Sequence, residues 1–179
     1  MLKVKPHPEY PPEEGRYLRG NDYSPAAVII ILTTDAEEIP PGIEELVRTG
    51  AALSGTLQTA NIGIEKIICT IVANPIIRYL ILGGPESEGH KTGDAIKALL
   101  KNGIDEKKNI IGMTGLTEVL HNFPAEFIKQ FREQLTLVDC QFQDGSVIRK
   151  AVWSCFQEKP VEFRGQMLFD PVAFPESKE

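Results

Sequence analysis

The sequence predicts a single α/β domain built on a mostly parallel sheet. Three observations carry this prediction. Short apolar runs such as Ala26–Leu32 (AAVIIIL) and Arg78–Leu82 (RYLIL) read as strands buried on both faces. Apolar residues at helical spacing lie between them, as at positions 64, 67, 68, 71 and 72. Strand and helix segments then alternate to the end of the chain, the pattern of βαβ units.

Taken in order, residues 1–25 carry Pro6, Pro8, Pro11, Pro12 and Pro25 and read as an extended arm laid on the domain. The domain proper is expected over residues 26–157. After the first strand, Pro41–Arg48 reads as a short helix closed by Gly50, and Ala51–Gly55 as a second strand of small residues. Ile62–Ala73 is a helix with Asn61 as its cap and Asn74-Pro75 as its stop. Arg78–Leu82 is the third strand, Gly83–Gly93 a loop, and Asp94–Asn102 a helix ended by Gly103. Asn109–Ile111 reads as a short strand; Leu116–His121 and Pro124–Gln134 read as helical. Thr136–Cys140 is the last strand and Asp144–Gln157 the last helix, with an irregular tail over residues 158–179.

Composition narrows the function. The 179 residues are 42% hydrophobic and 25% charged, an ordinary globular balance. A net charge of −6 offers no basic footprint for nucleic acid. Lys3, Pro6, His7, Pro8 and Glu9 break any apolar leader, and no apolar run approaches the ~20 residues needed to span a bilayer. A cytoplasmic protein without membrane insertion is therefore expected. Cys69, Cys140 and Cys155 lack the spacing of a disulfide or zinc framework and read as buried thiols.

In open parallel sheets, ligands bind beyond the carboxyl ends of the strands. That rule selects Thr33–Glu38, Thr56–Asn61, Gly83–Gly93 and Gly112–Gly115. The glycine-rich loop Gly83–Gly93 presents His90. A plain flexible connection with an exposed histidine is one reading of it. A nucleotide-binding P-loop is a second, because Gly84 and Gly89 have the required separation and Lys91-Thr92 follow. The insertion of His90 before Lys91 breaks that motif, and Glu86 and Glu88 bring negative charge to the supposed cradle. A third reading makes His90 a metal ligand. Glu88-x-His90-x-x-Gly93 is similar to the Asp-x-His-x-x-Gly signature of cobalamin-binding domains, in which a carboxylate orients the ligating imidazole. The small residues Ala51–Gly55, leading into Thr56, Leu57, Gln58 and Thr59, allow either close approach of a bulky ligand or plain tight packing.

A longer match runs through most of the chain. Leu57–Lys66 (LQTANIGIEK) is similar to a Thr-Glu-Asn-Leu-Gly-Ile-Glu-Lys segment. Ala73–Leu82, then Gly84, Glu86, Gly89, His90, Thr92 and Gly93, then Ile110-Ile111-Gly112 and the Asn122–Pro124 turn continue it. Together they resemble the A subunit of tetrahydromethanopterin S-methyltransferase, from about Arg16 to about Phe156.

The resemblance implies a Rossmann-like fold with helices on both faces of the sheet, holding a cobamide of the cobalamin or 5-hydroxybenzimidazolyl type. It implies a carrier of methyl groups between a reduced pterin and a thiol acceptor. The cobalt would cycle between Co(I) and a methylated Co(III) state and work with methyltransferase partner proteins. The family's histidine, the axial cobalt ligand, falls on His90, and its glutamate on Glu86. Cofactor contacts are then expected from Gly55, Thr56, Leu57, Gln58, Thr59, Asn61, Gly83, Gly84, Glu86, Gly89, Thr92, Gly93, Gly112 and Gly115. Three departures stand out. Ala60 replaces a glutamate, Asp94 replaces a glutamine, and nothing after Phe156 reads as the family's C-terminal membrane helix. An assembly partner that no longer binds corrinoid is the alternative that the first two departures leave open.

Overall fold

The computed structural model describes residues 6–33, 39–116 and 119–158. Five strands form one sheet: β1 (Tyr17–Arg19), β2 (Ala26–Ile31), β3 (Leu53–Leu57), β4 (Tyr79–Gly84) and β5 (Thr136–Gln141). Their spatial order is β1-β3-β2-β4-β5. The last four run parallel, and β1 lies antiparallel against β3 at one edge. The helices are α1 (Pro41–Thr49), α2 (Ile62–Val72), α3 (Thr92–Asn102), α4 (Ala125–Gln134) and α5 (Gly145–Phe156).

Strand alternation divides the core in two. Ala27, Ile29, Ile31, Leu80 and Leu82 point to one face and pack with Ile64, Ile68, Leu99 and Phe131 from α2, α3 and α4. Ala26, Val28, Ile81 and Cys140 point to the other and meet Leu46 of α1 with Ile148 and Val152 of α5. Covering both faces is why these strands are continuous apolar runs rather than alternating ones. The expected Rossmann-like architecture is thus present, doubly wound, with helices on both faces.

Several elements differ from the sequence reading. The arm contributes an edge strand, β1, which that reading did not include. Its Tyr17 sits over Gly55, where an added Cβ would meet the Tyr17 Cβ at 2.9 Å. Farther up the arm, Tyr10 is buried and its hydroxyl donates to the Thr70 carbonyl at 2.9 Å. Asn109–Ile111 joins no sheet. The Asp105 carboxylate accepts from the backbone N–H groups of Lys107 and Asn109 at 2.8 and 2.9 Å, turning the chain so that only isolated bridges form. Leu116 and residues 119–121 are not helical: Val119 bridges to Asn109, and Leu120 N–H donates to the Lys108 carbonyl. Asn61 stands at the start of α2 without a side-chain capping bond, whereas Asp144 caps α5 through the N–H groups of Ser146 and Val147. Cys140 and Cys155 are buried as expected, but Cys69 is only partly so. The expected tail falls almost wholly on residues 159–179, and the loop Thr33–Glu38 largely on 34–38, both outside the described residues.

Candidate functional site

From β2 the chain passes through α1 to β3 on one side, and from β3 through α2 to β4 on the other. The connections leaving β2 and β4 therefore part company, and a crevice opens beyond their carboxyl ends. Gly83 and Gly84 belong to β4 itself rather than to the loop, with Gly83 opposite Ile30. Gly84 has φ +87°, and a Cβ there would lie 2.4 Å from the Ile31 carbonyl oxygen. Glycine is required here so that β2 and β4 stay paired up to the crevice.

The loop that follows is cinched from within. One oxygen of the Glu86 carboxylate accepts from the N–H groups of Ser87 and Gly93, both at 2.9 Å, and the other from Asp94 N–H at 3.0 Å. The buried Ser87 hydroxyl accepts from Thr92 N–H at 3.0 Å and shares a 2.6 Å hydrogen bond with the Thr92 hydroxyl. Thr92 in turn donates to the Gln58 carbonyl at 3.2 Å, tying the loop to the end of β3. Thr92 and Gly93, read as loop from the sequence, are the first turn of α3. The nucleotide reading fails on this geometry. A P-loop needs free amides at the helix start, and Glu86 already occupies them. Lys91 takes a left-handed conformation as the N-cap of α3, and its ammonium donates to the Thr114 hydroxyl.

His90 and its neighbours Glu88, Gly89 and Lys91 are exposed on this loop. His90 borders a hollow of about 200 Å³ lined by Leu32, Thr33, Gln58, Thr59, Ser87 and Glu88. Gly115 backs the loop, since a Cβ there would meet the His90 carbonyl oxygen at 3.0 Å. The Asp94 carboxylate holds this backing segment by accepting from both Thr114 N–H and its hydroxyl, at 2.6 and 2.9 Å.

The structure brings together the ends of β2, β3 and β4 with Gln58, Thr59, Glu86, Gly89, His90, Thr92, Gly93 and Gly115. Other expected contacts fall elsewhere. Gly55 is covered by Tyr17, and Leu57 is buried in the core. Thr56 N–H is engaged by the Arg16 carbonyl, and Asn61 lies exposed before α2. Gly112 approaches the Asn102 side chain at the far end of α3, about 15 Å along the helix from its start. Thr33 and Ser87 lie in loops that the strand-end rule selected, though neither was named as a contact; Leu32, read as the end of the first strand, was not selected.

The donor set constrains what His90 can bind. Among the described residues no three His, Cys, Asp or Glu side chains come together to hold a metal ion. A single imidazole suits a transition metal whose other positions are filled by a macrocycle. Ile62, Leu116 and Phe142 are 63, 65 and 72% exposed, Ile62 opening α2 after β3 and Phe142 directly following β5. Among the described residues, an exposed imidazole beside the hollow therefore fits a corrinoid, whose macrocycle would fill the metal's other positions.

Comparison with known proteins bears on identity. The family of the A subunit of tetrahydromethanopterin S-methyltransferase matches residues 3–176. That enzyme's A subunit 2 from Methanobrevibacter ruminantium is 41% identical over 94% of this chain and 85% of its own length. The A subunit 1 from Methanothermobacter marburgensis is 39% identical over 93% of this chain and 68% of its own. The A subunit 2 from the latter organism is 43% identical over 84% of this chain and 80% of its own. No helix among the described residues is long and apolar enough to cross a membrane. The chain belongs to the A-subunit family of tetrahydromethanopterin S-methyltransferase.

Proposed function

We propose that this protein is a corrinoid carrier for methyl transfer, with His90 as the axial ligand of the cobalt. The observation that carries the proposal is the presentation of one exposed imidazole at the switch point of a doubly wound sheet, on a loop locked at both ends. When bound, the corrinoid supplies a metal centre able to take up and give up a methyl group. The chain's own residues bind and orient it. His90 offers a ring nitrogen, Glu86, Ser87 and Thr92 hold the loop that carries it, and Gly115 backs that loop. A reduced pterin of the tetrahydromethanopterin or tetrahydrofolate type is the donor this reading implies, a thiol the acceptor, and methyltransferase proteins the partners.

The two departures that favoured an assembly role are absorbed locally. Ala60 is fully buried in the core, and Asp94 is bonded to Thr114; neither lines the hollow. Mixing the purified protein with hydroxocobalamin, desalting it and recording the visible spectrum tests the proposal. Retained corrinoid is expected; none retained would overturn the carrier reading and favour the assembly partner.

A further inference from the structure

We infer that Glu86 is a positioning residue for His90. This rests on the proposal that His90 ligates a corrinoid. The Glu86 carboxylate stands at both ends of the loop at once. It accepts from Ser87, the residue beside it, and from Gly93 and Asp94 across the loop. Residues 87–92 are thereby closed into a ring, with His90 within it. The negative charge lies at the amino end of α3, where the helix dipole favours it. Ser87 and Thr92 add a second closure inside the first.

Without the carboxylate, the Gly93 and Asp94 amides lose their acceptor and the loop samples other conformations. Ligand affinity then falls in proportion to the fraction of time that His90 is correctly placed. Hydrogen bonds to a charged group are strong enough for that fraction to drop about 10- to 100-fold. Glutamine at this position keeps one acceptor oxygen for Ser87 and Gly93 but cannot accept from Asp94, so it should rescue part of the effect.

The experiment compares wild type, Glu86→Gln, Glu86→Ala and His90→Ala, first without corrinoid and then with hydroxocobalamin. In Glu86→Ala, the Gly93 and Asp94 amides should exchange about 10- to 100-fold faster by NMR. Leu80 and Leu82 should exchange as in wild type, and the His90 ring resonance should shift or broaden. With hydroxocobalamin, the share of bound Co(III) corrinoid showing the histidine-ligated spectrum should fall in the order wild type, Glu86→Gln, Glu86→Ala. Unchanged exchange and an unchanged His90 resonance would overturn the inference, as would an undiminished histidine spectrum in a merely destabilised Glu86→Ala. If Glu86→Ala does not fold, Glu86→Gln carries the test, with Asp94 the faster-exchanging amide. If wild type itself shows no histidine-ligated corrinoid, the functional proposal fails. The exchange rates and the His90 resonance still decide whether Glu86 fixes the loop.

Discussion

Replacing Gly84 with alanine tests how the crevice is built. Gly84 has φ +87°, and the new Cβ would sit 2.4 Å from the Ile31 carbonyl oxygen and 2.9 Å from its nitrogen. Both are backbone atoms at the end of β2, which is held between β3 and β4 and has little room to move. The left-handed conformation alone costs a non-glycine residue about 1–2 kcal/mol. Forcing a methyl group into a packed interior adds about 1–3 kcal/mol. Gly84→Ala should therefore lose about 2–5 kcal/mol. Gly89 is the matched control: its φ is +77°, yet nothing lies within 4 Å of an added Cβ. Gly89→Ala should lose only the conformational part, about 1–2 kcal/mol. Urea unfolding followed by far-UV circular dichroism measures both. With a slope of about 2 kcal/mol per molar urea, the Gly84→Ala midpoint should fall by about 1–2.5 M. Equal losses at the two positions would refute the claim that close approach to β2, rather than turn conformation, demands glycine at the switch point.

Other predictions follow from buried and titrating groups. Glu65→Ala should cost about 1–3 kcal/mol in thermal unfolding, because the buried Glu65 carboxylate accepts from Asn122 N–H and its side-chain amide and would leave both without it; an unchanged melting temperature would show that this bond contributes nothing. A hydrogen bond with Glu158, with burial second, pushes the Tyr79 phenol up to about 12. Its stabilising contribution is thus full below the ordinary phenol range and lost as pH rises through the folded value. Ultraviolet titration of wild type against Tyr79→Phe should show one phenol ionising late, and a phenol ionising near the ordinary value of about 10 would contradict it. The Ser146 hydroxyl, with the Ser146 and Val147 N–H groups, holds the Asp144 carboxyl below its usual range. Asp144→Ala should therefore unfold at lower urea than wild type at neutral pH. The gap should close as pH falls through that depressed value; a gap independent of pH would argue against the cap.

The parts of the fold legible in the sequence were those whose signal is local and repeated. β2 and β4 stood out because both of their faces are covered, and α2 and α5 because one apolar stripe runs the length of each. β1 was hidden because three residues are too few to show a period, and its pairing is fixed by the missing side chain of Gly55 on another strand. Asn109–Ile111 misled because Ile110 packs into the core while Ile111 stays exposed, and the Asp105 carboxylate captures the Asn109 N–H that a strand would use. At the site, His90 was visible as an isolated loop histidine, and Glu86 only through the family resemblance. The function of that glutamate in closing the loop depends on Gly93 and Asp94 folding back across it, which no pattern in the sequence displays. Likewise, Glu65 and Asn122 stood in separate family segments, and only the fold brings them into contact.

The central claim is that a nitrogen of His90 occupies an axial position of a bound cobalt. Electron paramagnetic resonance of the hydroxocobalamin-loaded protein, reduced to Co(II), reads that nitrogen directly through its nuclear spin. Ordinary nitrogen splits the cobalt lines into triplets; protein labelled with nitrogen-15 histidine should give doublets instead, and His90→Ala should lose the labelled splitting. Triplets that persist in the labelled protein would place the cofactor's own base on the metal, and labelled doublets that survive in His90→Ala would assign the ligand to another histidine; either result would contradict the account.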